Sequence, residues 1–290
     1  MRIPISQSIP VLAASGSIHT KNPDPPKHNP THHSMKPLNL AFRALLTSAA
    51  LLITHSPAAA QEAASAKRIL LVGDSTVASG SGWGDAFSKL LAPGVECQNL
   101  ARGGRSSKSY LTEGFWQKAL DAKPDWVLIQ FGHNDMPGKG PERETDAKST
   151  FRENLVRYIA EARAKGAKPV LVTSLTRRNF NAQGKIDPAH LVPSIEGQGT
   201  KIPDLLTDYV QAAKAVAAEQ KVPVIDLNAR SIEQVNELGP VAAAAFDAKS
   251  KDPAKPDKTH LSTRGAAETA KLVADEIRKN VPELAKMLLP

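Results

Sequence analysis

The sequence predicts an α/β fold, a three-layer sandwich with a five-stranded parallel sheet between two layers of helices. Three observations predict it. From Lys67 onward, short apolar runs alternate with segments whose apolar residues recur at helical spacing, which is the pattern of a parallel sheet covered on both faces. The run from Trp126 to Phe131 is apolar except for Gln130, as a strand buried on both faces requires. No internal repeat and no linker divides this region, so residues 61–290 read as one domain, long enough for a full core.

The elements follow in order. Residues 68–72 read as the first strand, and residues 83–91 as a helix closed by Pro93-Gly94. Residues 95–99 form a short second strand. Residues 113–122 read as a helix ended by Lys123-Pro124. Residues 126–131 are the central strand. Residues 145–165 put Phe151, Leu155, Tyr158, Ile159 and Ala162 on one helical face, with Gly166 as the cap. Residues 169–173 are a strand, 203–220 a helix, 222–227 a strand and 263–279 the last helix. Right-handed crossovers leave few topologies for this succession, and a flavodoxin-like strand order is expected. Two segments break the rhythm. Residues 177–201 are polar and rich in Gly and Pro, a long loop of the kind that is often functional. Residues 229–256 carry an Ala-rich, helix-like patch and then two prolines.

The first 60 residues have a different character. Residues 1–34 hold six Pro and four His without any period, and read as a disordered or non-native leader. From Met35, a basic region with Lys36 and Arg43 precedes an apolar stretch over 44–53, then Ala58-Ala59-Ala60. That is the layout of a secretory signal peptide over 35–60, which places the mature protein in the periplasm or outside the cell. The apolar stretch is too short for a membrane span, so no stable membrane insertion is expected. Residues 61–290 carry 32 basic and 28 acidic side chains, a mild excess with no clustered basic module. Nucleic acid is therefore not an expected partner. Cys97 is the only cysteine, so an intramolecular disulfide is excluded, and it reads as a small buried hydrophobe.

Four stretches carry chemistry. Gly73-Asp74-Ser75-Thr76 follows the first strand and delivers a hydroxyl to the carboxyl edge of the sheet, where open α/β folds bind ligands. Asn99-Leu100-Ala101-Arg102-Gly103-Gly104-Arg105-Ser106-Ser107 follows the second strand. Its adjacent glycines let the backbone approach a ligand, although alone they read as a turn. Gln130-Phe131-Gly132-His133-Asn134-Asp135 follows the central strand and offers a side-chain amide that can donate to an oxyanion. His133 with Asp135 has too few ligands at metal spacing to imply a metal. In Asp257-Lys258-Thr259-His260, an Asp three residues before a His can fold onto the ring and fix its tautomer.

Together the four blocks resemble the SGNH, or GDSL-type, serine hydrolase family, in its order and over about 190 residues. The resemblance implies Ser75 as nucleophile, His260 as base and Asp257 as its orienting acid. It implies an oxyanion hole from the Ser75 and Gly104 N–H groups and the Asn134 amide, and no cofactor and no metal. Thr176-Arg177-Arg178-Asn179-Phe180 adds a narrower likeness, to the rhamnogalacturonan acetylesterase branch, whose members remove acetyl groups from a pectin backbone. Residues 187–201 depart from that branch as a longer loop. The expected activity is then a serine esterase removing O-acetyl groups from an acetylated polysaccharide or oligosaccharide of the plant cell wall. Trp83, Arg102, Arg105, Arg177, Arg178 and Asn179 are the expected substrate-binding walls, because Arg pairs well with the carboxylates of pectin. Rival readings are a lipase or thioesterase on the same scaffold, an acetylxylan esterase, and a carbohydrate-binding protein without catalysis.

Overall fold

The computed structural model describes residues 66–187 and 206–290, and the leader and signal-peptide expectations lie outside the described residues. Five strands form one sheet: β1 (Lys67–Gly73), β2 (Val95–Asn99), β3 (Trp126–Gln130), β4 (Lys168–Val172) and β5 (Val224–Ile225). All pairs are parallel, in the order β2-β1-β3-β4-β5, as the flavodoxin-like expectation has it. The helices are α1 (Gly84–Ser88), α2 (Ser107–Thr112), α3 (Phe115–Asp121), α4 (Thr150–Ala164), α5 (Leu206–Gln220), α6 (Leu227–Ala243), α7 (Thr263–Asn280) and α8 (Pro282–Ala285). A two-stranded antiparallel ribbon, β6 (Asp247–Ala248) with β7 (Asp257–Leu261), precedes α7.

The strands read as unbroken apolar runs because both faces are covered. Leu70 and Val72 of β1, Val127 and Ile129 of β3 and Leu171 of β4 enter a core with Trp116, Phe151, Tyr158 and Val216 from α3, α4 and α5. Ile69, Leu71, Leu128, Val170 and Val172 point the other way, against Phe87 of α1 and Val273 and Ile277 of α7. The period of two in a strand splits the two sets. Each of these aliphatic side chains is almost fully buried. Burial of one such side chain contributes about 1.5–3 kcal/mol.

Several boundaries differ from the pattern, each for a local reason. The helix expected over 83–91 stops at Ser88, because Leu91 is drawn into a bridge with Leu288 and the Leu289 N–H donates to the Leu90 carbonyl. The helix expected over 113–122 is α3, Phe115–Asp121, and a further helix not expected from the sequence, α2, precedes it, with the chain turning between them at Glu113-Gly114. The first residues of 145–165 stay out of α4, since the Thr145 N–H and hydroxyl both go to Asp135. Leu227 belongs to α6 rather than to β5, because the Asp226 side chain caps that helix on the Ala229 N–H. The Ala-rich patch is the end of α6, kinked at Gly239-Pro240 where proline supplies no N–H. Cys97 is half-buried on β2, and burial pushes its thiol up to about 12. Among the described residues no helix is long and apolar enough to cross a membrane.

Candidate active site

The strand β1 ends at Gly73, and the chain then turns tightly: the Val77 and Ala78 N–H groups donate to the Asp74 carbonyl at 3.2 and 3.0 Å. This turn lifts the half-exposed Ser75 above the carboxyl edge of the sheet. Ser81 Oγ donates to the Ser75 carbonyl at 2.7 Å, and the Trp83 N–H to the Thr76 carbonyl at 3.0 Å, so the loop folds back under the serine. Only glycine fits at 82 in that return, because a Cβ there would lie 2.2 Å from the Thr76 backbone.

A buried polar chain supports this loop. Trp83 Nε1 donates to Gln130 Oε1 (3.0 Å), Gln130 Nε2 to Thr76 Oγ1 (2.6 Å), and Thr76 Oγ1 to Asp74 Oδ1 (2.7 Å). Indole can only donate, so Trp83 fixes the amide orientation and the direction of every bond that follows. Burial raises the Asp74 carboxyl above its usual range, against the bonds from Thr76 and the nearby His260.

His260 reaches Ser75 from the ribbon. Its Nε2 lies 2.8 Å from Ser75 Oγ and its Nδ1 2.8 Å from Asp257 Oδ2. Asp257 Oδ1 accepts from the Thr259 N–H (3.1 Å) and the His260 N–H (2.9 Å). Burial pushes the Asp257 carboxyl up, but those backbone bonds and the imidazole together hold it below the ordinary value. An ionised Asp257 only accepts, so Nδ1 carries the ring proton and the Nε2 lone pair faces the serine hydroxyl. The segment was expected as a loop, yet it is a strand, β7, with Ala248 opposite Asp257.

The loop after β2 borders the serine. The Arg102 N–H donates to the Gly73 carbonyl at 2.9 Å, which carries the β1–β2 pairing past the strand end. A Cβ placed on Gly103 would be 3.8 Å from the Ser75 Cβ, so this loop passes directly beside the hydroxyl. Gly104 has φ +75°, a left-handed conformation that glycine adopts without strain. Asn134 Nδ2 donates to the Arg105 carbonyl at 3.1 Å, which ties the third block to the second. One amide hydrogen is used there, and an amide has two. The next residue, Asp135, is fully buried and accepts from the Ser107 N–H (3.1 Å), Ser107 Oγ (2.5 Å) and Thr145 Oγ1 (3.1 Å). Burial pushes its carboxyl up to about 7. This arrangement can pass a proton from Ser75 Oγ to His260 Nε2, with the glycine loop passing beside the serine.

The expected walls need correction. Trp83 is fully buried beneath the loop, edge-on to Phe87, and cannot line a groove. Arg177 and Arg178 are 4% and 3% exposed. Arg177 sits beside His133, whose ring is held neutral by burial first and by the Arg177 charge second. His133 Nε2 donates to the Leu175 carbonyl at 2.9 Å, so that nitrogen is not offered to a metal. Among the described residues, no three His, Cys, Asp or Glu side chains gather as metal ligands. Arg178 turns inward to Asp247 and the ribbon, because its guanidinium finds carbonyls there. Asn179 is half-exposed, Arg102 is exposed and Arg105 is half-exposed with an ion pair to Glu113 at 2.9 Å. Arg102, Arg105 and Lys118 surround the Phe115 ring at 5.5, 5.4 and 5.8 Å. Phe115 was not singled out in the sequence, nor were Thr76, Ser107 and Asp247. Residues 188–205, most of the longer loop, lie outside the described residues.

Comparison with known proteins agrees with this geometry. The model of the GDSL-like Lipase/Acylhydrolase family matches residues 71–268. The chain is 37% identical over 228 residues to the rhamnogalacturonan acetylesterase RhgT of Bacillus subtilis, covering 73% of this chain and 90% of that one. It is 30% identical over 238 residues to a rhamnogalacturonan acetylesterase of Emericella nidulans, covering 74% and 85%. Among solved structures, an acetylxylan esterase from Geobacillus stearothermophilus shares the fold, with TM-score 0.54, 21% identity and coverage of 73% and 94%. The family match spans Ser75, the glycine loop, Asn134, Asp257 and His260 together. The chain therefore belongs to the GDSL-like lipase/acylhydrolase family and is a carboxylic ester hydrolase.

Proposed function

We propose that the protein is an exported serine esterase that removes O-acetyl groups from rhamnogalacturonan, the branched, acidic part of pectin. The observation that carries the chemistry is the pair of 2.8 Å contacts joining Ser75 Oγ, His260 and Asp257. Ser75 Oγ attacks the acetyl carbonyl carbon while His260 Nε2 takes the hydroxyl proton. Asp257 stabilises the imidazolium that forms. The Ser75 and Gly104 N–H groups and the Asn134 amide stabilise the negative oxygen of the tetrahedral intermediate. Collapse breaks the bond to the sugar oxygen, which leaves as a hydroxyl with the proton from His260. Water, deprotonated by His260, then attacks the acetyl-serine, acetate leaves and Ser75 regains its proton.

Two observations support the substrate. The curated relatives at 37% and 30% identity are rhamnogalacturonan acetylesterases. Arg102, Arg105 and Lys118 converge on one ring beside the glycine loop, with Glu113 paired to Arg105. That surface suits a polymer bearing carboxylates better than a neutral one. Export rests on the signal-like pattern of residues 35–60. The test is acetate released from acetylated rhamnogalacturonan and from acetylated xylan at matched acetyl concentration, with p-nitrophenyl palmitate as a third substrate. Faster release from rhamnogalacturonan is expected. Equal or faster release from xylan rejects the pectin assignment, and preference for palmitate rejects the acetylesterase reading. N-terminal sequencing of the exported protein tests the leader, with Gln61 expected near the start.

A further inference from the structure

We propose that Arg178, with Asp247 as its counter-ion, is the positioning residue that holds the Asp257–His260 turn in register with Ser75. The proposal rests on the roles given above to Ser75, Asp257 and His260. Arg178 leaves the carboxyl end of β4 and crosses to the ribbon. Its Nη2 donates to the His260 carbonyl at 2.5 Å and the Asp257 carbonyl at 3.3 Å, and its own N–H to the Lys258 carbonyl at 3.0 Å. Three of the four carbonyls of the Asp-Lys-Thr-His segment thus end on one residue. Nε is bonded to Asp247, which pairs through its backbone with Leu261, so the guanidinium spans both strands of the ribbon.

The ribbon needs such a tie. A two-stranded ribbon is at best marginally stable alone, and β6 contributes only two residues. Asp257 uses both oxygens within its own turn, which fixes the imidazole to Asp257 but not the turn to the sheet. The serine belongs to the β1 edge. The Leu261 N–H donates to the Ser81 carbonyl at 2.9 Å and the Leu261 side chain packs into the core beneath the serine loop, and the clamp from β4 adds a tie at the Asp257–His260 turn itself. A displacement of about 1 Å between reacting groups can cost about 10²-fold in rate. A guanidinium suits the task because its rigid fork serves two carbonyls and a carboxylate together, which a lysine ammonium on a flexible stem does not. Burying that charge is tolerated because Asp247, itself nearly buried, offsets it. Contact with substrate is the wrong reading for a side chain 3% exposed.

The experiment uses the full chain and p-nitrophenyl acetate. Arg178→Ala, Arg178→Lys and Asp247→Asn are compared with Ser75→Ala and His260→Ala, well below each variant's Tm. For Arg178→Ala, kcat should fall about 10²-fold with KM within threefold, and millimolar guanidinium ion should restore part of kcat. Guanidinium should restore nothing in His260→Ala. Arg178→Lys should recover only part of the loss, and Asp247→Asn should show a smaller fall of the same kind. Asp247→Asn and Arg178→Lys carry the test if Arg178→Ala does not fold. Folded Arg178 and Asp247 variants with kcat within threefold of the parent overturn the proposal, as does a loss that appears in KM or only tracks the folded fraction. If Ser75→Ala and His260→Ala are inactive while the Arg178 variants are not, this proposal alone fails. If Ser75→Ala or His260→Ala remains active, the triad reading fails and this proposal with it.

Discussion

Asn134 is tied to Arg105 by a 3.1 Å hydrogen bond from its amide to the Arg105 carbonyl, so the two loops that flank Ser75 are locked to each other. The bond orients the amide and leaves its second hydrogen for an acceptor in the site. Asn134→Ala should therefore remove a donor and loosen the Gly104 loop together. A fall of about 10²–10³ in kcat is expected, with little change in KM. Steady-state kinetics on a variant with unchanged circular dichroism checks this, and an unaltered kcat would take Asn134 out of the oxyanion hole.

Ser75 and His260 act as one unit in the proposed mechanism, because the imidazole has no proton to take without the hydroxyl. Ser75→Ala and His260→Ala should each remove most turnover, and the double variant should be no slower than the worse single one. A double variant whose losses multiply would mean that the two groups work in separate steps. Labelling by a fluorophosphonate gives a second readout: Ser75→Ala should not label, and His260→Ala should label slowly.

Ser75, Asn134, Asp257 and His260 were legible because each sits in a short motif near a strand end or just before the last helix. There the chain direction brings side chains to one edge of a parallel sheet. The parallel sheet was legible from alternation and continuous apolar runs, and right-handed crossovers narrowed the strand order. Trp83 and Arg178 were misread because residue type does not say which way a loop side chain points. Trp83 turns inward only because the loop doubles back at Gly82 onto Thr76. A signal existed in Gln130, the one polar residue in an apolar run, which needs a buried partner and finds Trp83. The strand β7 escaped notice because its partner, Asp247–Ala248, is too short to show a period. The helix α2 escaped because its serines are modest helix formers, and its start is set by the Ser106–Ser109 capping box.

Asp135 gives stability a pH dependence of known sign. Burial raises its folded carboxyl to about 7, whereas an unfolded carboxyl loses its proton near pH 4. Between these values the folded state holds the extra proton. Its contribution is fully present below about pH 4 and is lost as pH rises through about 7, with a slope of at most about 1.4 kcal/mol per pH unit. Asp135→Asn cannot titrate and turns the oxygen that accepts from the Ser107 N–H at 3.2 Å into an NH2 donor facing it, so it should be less stable than the parent. The gap should narrow between pH 5 and 7.5. Urea denaturation at the two pH values checks this, and a gap that stays constant or widens would show that Asp135 does not hold its proton in the folded protein.

Arg102 is the cation on which the pectin reading depends most directly. It is exposed, it leads into the glycine loop, and its guanidinium lies over Phe115, while its neighbour Arg105 is already paired with Glu113. A ring that gathers three cations sets like charges near one another, and on the pectin reading a substrate carboxylate would relieve that repulsion while the sugar face would cover Phe115. Arg102→Gln keeps much of the stem and removes the charge. It should raise KM for acetylated rhamnogalacturonan about three- to tenfold, from the roughly 0.5–1.5 kcal/mol of a partly exposed charged contact. Turnover of p-nitrophenyl acetate should be unaffected, because no carboxylate is recognised there. Added salt should raise KM for the parent on the acidic polymer by screening and leave the variant nearly insensitive. Equal salt dependence in parent and variant, with equal KM, would remove Arg102 from substrate recognition and leave the hydrolytic machinery standing.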